Sequence, residues 1–326
     1  MIGKKRILVV GANGYIGSRL CHFLHSCGHE IIGSFSTIPK NQKKWANFIS
    51  RFIIGDIRHK NTVKKIASCK AHIIIYLVSL NHQDSEKDID NTFNVNIRPI
   101  FNILSSSSIS NSCLEKFIYF STVQVYGSNL YGDIKENQQL IPNNIYGLTH
   151  QLGEEICNYY NNKNINCFNI RLSNSYGHPL FTNKNCWDLV INNLTKSAFE
   201  SKKIVLRSDG NVFKDFIHFS EIYTFINLLI KSKSFEQNTF NLTSSKTISL
   251  IDAANKVKNV YFKKYNVEIP IYINSNQLYY QNNSPSISPS FRFINNDLVN
   301  KNIEVTKCIT DGIEEIFNYL ESKPIY

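Results

Sequence analysis

Residues 4–17 read KKRILVVGANGYIG, and the fold class turns on them. Ile7–Val10 is a short apolar run without helical period, as expected of a strand buried on both faces of a parallel sheet. Gly11, Gly14 and Gly17 follow at every third position, and Ser18–Cys27 behind them is amphipathic. Strand, glycine turn and helix in this order let the backbone turn tightly and bring a diphosphate to the free N–H groups of a helix N-terminus. Glycines at this spacing also serve tight turns that bind nothing. The apolar strand directly in front is the context that favours a dinucleotide site, with Gly11, Asn13, Gly14, Tyr15, Ile16 and Gly17 as its contacts.

Outward from this stretch, His29–Phe35 (HEIIGSF) reads as a second strand. An NAD site calls for an Asp or Glu at its end, about 20 residues past the glycines, to hold the ribose 2′-hydroxyl. Ser34, Phe35, Ser36 and Thr37 stand there instead, with Lys40, Lys43 and Lys44 shortly after. The cofactor is therefore NAD or NADP, with a slight lean to NADP, although no arginine supplies a clamp for the extra phosphate. Phe52–Gly55 is a third strand, with Asp56 and Ile57 behind it in reach of an adenine. Ala71–Val78, Lys116–Phe120 and Cys167–Leu172 are three more strands, and Val63–Cys69, Thr92–Ser107 and Tyr146–Tyr160 are helices. Strands alternating with helices at this spacing build a doubly wound α/β sheet. The Rossmann-like domain runs over 1–175, a smaller substrate lobe over 176–326, and Gln281–Ser290 reads as a loop.

Bulk properties bound the rest. A chain of 326 residues with 42% hydrophobic and 19% charged residues buries a large core and resembles an ordinary soluble protein. The net charge is +11, and residues 1–60 carry ten Lys/Arg against Glu30 and Asp56, so most of the excess lies in that stretch. Basic charge attracts phosphate-bearing ligands, and it equally describes lysines on solvated faces. The eight cysteines form no CxxC pair and no metal-ligand spacing, which fits buried thiols in a reducing compartment. His22, His25 and His29 lack an acidic third ligand. No apolar run reaches the length of a membrane span, and Ile7–Val10 is too short for a signal-peptide core, so the chain reads as cytoplasmic with no membrane partner. No nucleic-acid-binding motif accompanies the basic charge.

Three stretches now converge: the glycine turn, STVQVYG at Ser121–Gly127 and YGLTH at Tyr146–His150. Together with RLSNSYG at Arg171–Gly177 and KDFIH at Lys214–His218, they resemble the extended short-chain dehydrogenase/reductase family, of the NAD-dependent epimerase/dehydratase type that acts on nucleotide sugars. The resemblance runs nearly the whole length. It implies that Thr122 hydrogen-bonds the substrate oxygen, that Tyr146 gives or takes the proton, and that Asn96 serves the cofactor side. It also implies that Asn174 and Lys214 hold the diphosphate of a nucleoside-diphosphate sugar, and that His82 lies in a substrate-facing loop after the fourth strand. Residues 214–242 are expected to return to the first domain. Homodimers through Thr92–Ser107 and Tyr146–Tyr160, and a role in making polysaccharide sugars, follow from the same resemblance.

Two positions depart from the family pattern. Four residues after the tyrosine, one helical turn away on the same face, the family has a lysine whose charge lowers the tyrosine pKa and whose ammonium holds the nicotinamide ribose. Here that residue is His150. With an ordinary pKa of about 6.5, an imidazole is mostly neutral at pH 7 and activates the tyrosine far less. Reduction of a ketone, which needs the protonated tyrosine, tolerates this better than oxidation does. The sugar 4,6-dehydratases of the family place Asp-Glu after the threonine, where this chain has Val123 and Gln124, so dehydration is not expected. The reading is an NAD(P)-dependent epimerase or 4-keto reductase with YxxxH for YxxxK. A non-catalytic dinucleotide or sugar-nucleotide binder on the same fold is the alternative.

Overall fold

In a computed structural model, the structure describes residues 3–40, 42–110, 113–163, 165–181, 184–232, 235–279, 289–295 and 307–322. Seven strands form the main sheet in the order Thr239–Leu242, Cys167–Leu172, Lys116–Thr122, Ile73–Tyr76, Arg6–Val10, Glu30–Phe35, Arg51–Ile54. The pairings run parallel, with Val10 beside Ser34 on one side and beside Tyr76 on the other. Strand order reverses at Arg6–Val10, so the glycine turn leaves the sheet at the switch point, where a crevice opens at the carboxyl ends of the strands. The apolar runs are central strands for the expected reason: Ile7–Val10, Ile73–Tyr76 and Phe117–Ile118 are fully buried.

Two differences from the sequence reading have local causes. The helix expected over Thr92–Ser107 is two helices, Ile89–Asn96 and Arg98–Ser110, broken at Ile97. Pro99 has no N–H to donate to the Val95 carbonyl one turn back, and that carbonyl accepts from the Tyr76 hydroxyl at 3.4 Å instead. The expected loop at His82 is a short helix, His82–Lys87, whose N-cap is Asn81: its side chain accepts from the Asp84 N–H at 2.9 Å.

The chain divides into two compact units. Residues 1–129, 136–172 and 225–241 make the first, around a core that includes Leu8, Val10, Ile74, Tyr76, Phe117 and Tyr119. Residues 130–135, 173–224 and 242–326 make the second. Its core gathers Tyr176, Phe216, Ala253, Ile313 and Phe317 from helices Val190–Ser201, Leu250–Tyr265 and Ile309–Glu321 and a sheet of Thr247–Ser249, Phe213–His218 and Asn174–Tyr176. Of the expected loop 281–290, residues 281–288 lie outside the described residues. Among the described residues, no helix is long and apolar enough to cross a membrane.

Candidate active site

The glycine turn is built around a carbonyl. Gly14 N–H donates to Gly11 O at 3.0 Å, and Gly11 holds a φ of +90°. A Cβ at Gly17 would collide with that same Gly11 oxygen, so the helix approaches the turn this closely only with glycine there. Gly11 and Ala12 N–H donate to Ser34 O at 3.3 and 3.0 Å, which ties the turn to the second strand. Helix Tyr15–Ser26 starts at Gly14 with no side chain capping it. Asn13 and Gly14 are exposed, and Tyr15 and Ile16 are half-buried. A Gly-lined helix start with uncapped amides suits a diphosphate.

At the end of the second strand, Ser34 and Phe35 are buried, Phe35 against Trp45 and Phe52. Ser36, Thr37, Lys40, Lys43 and Lys44 are exposed. Asp56 is gripped by Arg58, whose Nε donates to both carboxylate oxygens at 3.0 Å, and these bonds hold the carboxyl at about 2. Arg58 reaches on to the Asn91 amide oxygen at 2.9 Å. Ile57, beside Asp56, packs against the core of the first unit.

The three candidate catalytic residues come together in the first unit. Thr122 ends its strand and caps the 3-10 turn Val123–Tyr126, its Oγ1 accepting from Gln124 N–H at 3.3 Å. Tyr146 lies in the first turn of helix Ile145–Asn161, which is capped by Asn144 accepting from Gly147 N–H at 2.7 Å. Burial raises the pKa of its hydroxyl, and the neighbouring Ser79 and Thr122 hydroxyls work against the rise. His150 follows one turn later, its ring edge-on to Tyr146 with centroids 4.5 Å apart. It is 3% exposed, and burial lowers its pKa from 6.5 to about 4. At neutral pH the ring is uncharged, and Tyr146 has no cation there to stabilise its phenolate.

Asn96 is buried between two elements of this site. Its Oδ1 accepts from Leu80 N–H at 2.8 Å, and its Nδ2 donates to Thr149 Oγ1 at 3.0 Å, which in turn donates to Tyr146 O at 3.0 Å. The side chain thus braces the Tyr146 turn against the segment carrying Ser79. His82 is exposed on its short helix, where Asp84 pairs with Lys87 at 3.0 Å. In the second unit, Asn174 donates to Asp215 O at 2.9 Å, and burial lowers the Lys214 pKa. Arg207 is exposed, and Arg292 binds Asp133 at 2.6 Å. Among the described residues, no cluster of His, Cys, Asp or Glu could hold a metal ion.

Three participants escape a reading of the sequence. Ser79 carries no motif, and only the fold brings it beside the Tyr146 hydroxyl. Tyr119 sits inside KFIYFST, yet its hydroxyl lies 3.0 Å from Nδ1 of His150, 31 positions along the chain. Arg171, the first residue of RLSNSYG, is buried in a network in which its Nη2 meets Glu154 at 2.7 Å and its Nη1 meets the Tyr126 hydroxyl at 2.7 Å. Glu154 also accepts from Ser121 at 2.5 Å, and Tyr126 donates to Asn241 at 2.7 Å. Alternation and motif spacing report faces and turns; they say nothing about partners this far apart.

Comparison with known proteins bears on the family and the fold. The family model described as NAD dependent epimerase/dehydratase family matches residues 7–243. The UDP-glucose 4-epimerase of Mycoplasma genitalium is 28% identical over 295 residues, 82% of this chain and 86% of that protein. A Bacillus subtilis protein described as an uncharacterized UDP-glucose epimerase, YtcB, is 24% identical over 275 residues, 79% of this chain and 83% of its own. Among solved structures, the UDP-glucuronic acid 4-epimerase of Bacillus cereus in complex with UDP-glucuronic acid and NAD superposes with a TM-score of 0.76 at 22% identity, covering 97% of this chain and 99% of that one. The expected resemblance and fold class therefore hold, and the chain belongs to the NAD dependent epimerase/dehydratase family.

Proposed function

We propose that the protein is an NAD(P)-dependent oxidoreductase of a nucleoside-diphosphate sugar that works in the reducing direction, on a 4-keto sugar, in the making of a polysaccharide sugar. The observation that carries this is the Tyr146 ring packed edge-on against a buried, neutral His150 one turn away, with Thr122 and Ser79 beside its hydroxyl. Relatives named for UDP-glucose support the substrate class. A nicotinamide cofactor supplies hydride transfer when bound, and Gly11, Asn13, Gly14, Tyr15, Ile16, Gly17, Asp56, Ile57 and Asn96 form its side of the site. Tyr146 keeps its proton at neutral pH and donates it from Oη to a ketone oxygen, while Thr122 hydrogen-bonds that oxygen. Asn174 and Lys214 serve the sugar nucleotide's diphosphate, and His82 its sugar end.

Nicotinamide fluorescence on cofactor-stripped protein tests the first half: saturable binding is expected, and a lack of binding by both NADH and NADPH removes the enzyme reading in favour of a protein that binds a sugar nucleotide without turnover. The second half is tested by oxidation of the bound form with 4-keto sugar nucleotides. Tyr146→Phe is expected to slow it by about 10²- to 10⁴-fold, the span of general acid catalysis. The exposed lysines after the second strand favour NADPH; a Lys43→Glu, Lys44→Glu double variant should weaken NADPH and leave NADH unchanged. The protein pairs with a second copy through Arg98–Ser110 and Ile145–Asn161, where Phe101, Leu148 and Tyr159 remain exposed. Sedimentation of Leu148→Glu as a monomer, and of the wild type as a dimer, is the expected result.

A further inference from the structure

We propose that Tyr119 is the positioning residue of His150: its hydroxyl, 3.0 Å from Nδ1, donates to that nitrogen and holds the ring as the Nε2–H tautomer, leaving an uncharged N–H for a ribose hydroxyl of the nicotinamide cofactor. This rests on the dinucleotide reading above. A neutral imidazole has one donor nitrogen and one acceptor, and the bond made by one nitrogen sets the state of the other. A bare imidazole nitrogen accepts far better than a phenolic oxygen does, and a phenolic O–H is the stronger donor. The pair is therefore O–H donating to Nδ1, with the ring proton on Nε2.

The second nitrogen supplies the other half of the argument. His150 is 3% exposed, and among the described residues Nε2 is buried without a hydrogen-bond partner. Buried polar atoms in folded proteins almost always have partners, so an orphaned one beside a candidate proton donor marks a place that a ligand completes. The ring cannot turn away easily. Tyr146 stands edge-on to it at 4.5 Å, and Tyr119 lies tilted at 5.9 Å. Gly153, one turn further along the helix, makes room for Tyr119: a Cβ there would collide with the Tyr119 hydroxyl. Tyrosine, histidine and glycine thus form one device from two elements, and the lysine of the family pattern needs none of it, because an ammonium has no tautomer.

Long-range proton–nitrogen correlation spectra of histidine-labelled protein read the tautomer directly, with the His150 signals assigned by their loss in His150→Gln. The wild type is expected as Nε2–H, and Tyr119→Phe as a mixture shifted towards Nδ1–H. NADH or NADPH should bind Tyr119→Phe about fivefold more weakly, the size of one net hydrogen bond. The same substitution in a His150→Lys background should leave affinity unchanged. A wild-type ring protonated on Nδ1 overturns the proposal, and so does a Tyr119→Phe protein with an unaltered tautomer or an equal loss of affinity in both backgrounds. If the ring is Nε2–H and neither nucleotide binds, the role of Tyr119 in setting the tautomer stands and the dinucleotide reading falls.

Discussion

At the scale of single residues, His150 ties stability to pH. Its pKa falls from 6.5 in the unfolded chain to about 4 in the folded one, because burial disfavours the charged ring. The contribution is intact above 6.5 and is lost as pH drops from 6.5 to about 4, where the unfolded chain takes up a proton that the folded one refuses; the gap corresponds to about 3 kcal/mol. Tyr119 and Tyr146, which face the ring, have raised pKa values and stay neutral throughout this range. Urea midpoints for wild type and His150→Gln should therefore converge between pH 7 and pH 4. Parallel curves would show that the ring is not buried neutral. The identity of position 150 and its mostly neutral state at pH 7 were legible in YGLTH, but the lowering of its pKa was not, since desolvation depends on residues such as Tyr119 that the local sequence does not bring near.

Among the elements, packing of helix Ile145–Asn161 on strand Lys116–Thr122 depends on Gly153 and Tyr119. Gly153→Ala should displace the Tyr119 ring and cost about 1–3 kcal/mol, as overpacked contacts do, despite alanine's better helix propensity. A gain in thermal stability would argue against this close approach. Lys116, at the start of the same strand, is 6% exposed and donates to Leu229 O at 2.6 Å and Ser232 O at 2.5 Å. A buried ammonium here caps the last carbonyls of helix Phe219–Lys231. Lys116→Met should cost about 1–3 kcal/mol by leaving those carbonyls unpaired, and hydrogen exchange should quicken first in the last turn of that helix.

For the whole molecule, the first unit is joined by polar contacts as well as by its apolar core. Arg171 and Glu154 are both buried and reach Ser121, Tyr126 and the Glu136 carbonyl, and Tyr126 continues to Asn241. These residues come from the 1–129, 136–172 and 225–241 segments, so one network spans all three pieces of the unit. Glu154→Leu leaves a buried guanidinium unpaired and should cost about 3–5 kcal/mol, whereas replacing both charges with apolar residues should cost much less. Equal losses for the single and double variants, measured by denaturant titration, would rule this out. In the second unit, Asp215 accepts from Ser173 at 2.6 Å, from Ser244 N–H at 2.8 Å and from Lys246 N–H at 3.1 Å; burial raises its pKa and these bonds oppose it. The Asp of KDFIH thus serves its own unit's backbone.

By itself, the sequence determined the parallel sheet, the glycine turn and the order of the motifs. Each of these is a short-range property, written in runs of apolar residues, in glycine spacing and in one helical turn between Tyr146 and His150. It also exposed the missing acid at Ser34–Thr37 and the missing lysine. Tertiary structure alone decided that Ser79 meets Tyr146, that Asn96 braces the Tyr146 turn, and that His150 is stripped of water and bonded to Tyr119. The physical reason is range: local patterns specify which face a side chain takes, while desolvation and long-range hydrogen bonds exist only once distant segments share one core.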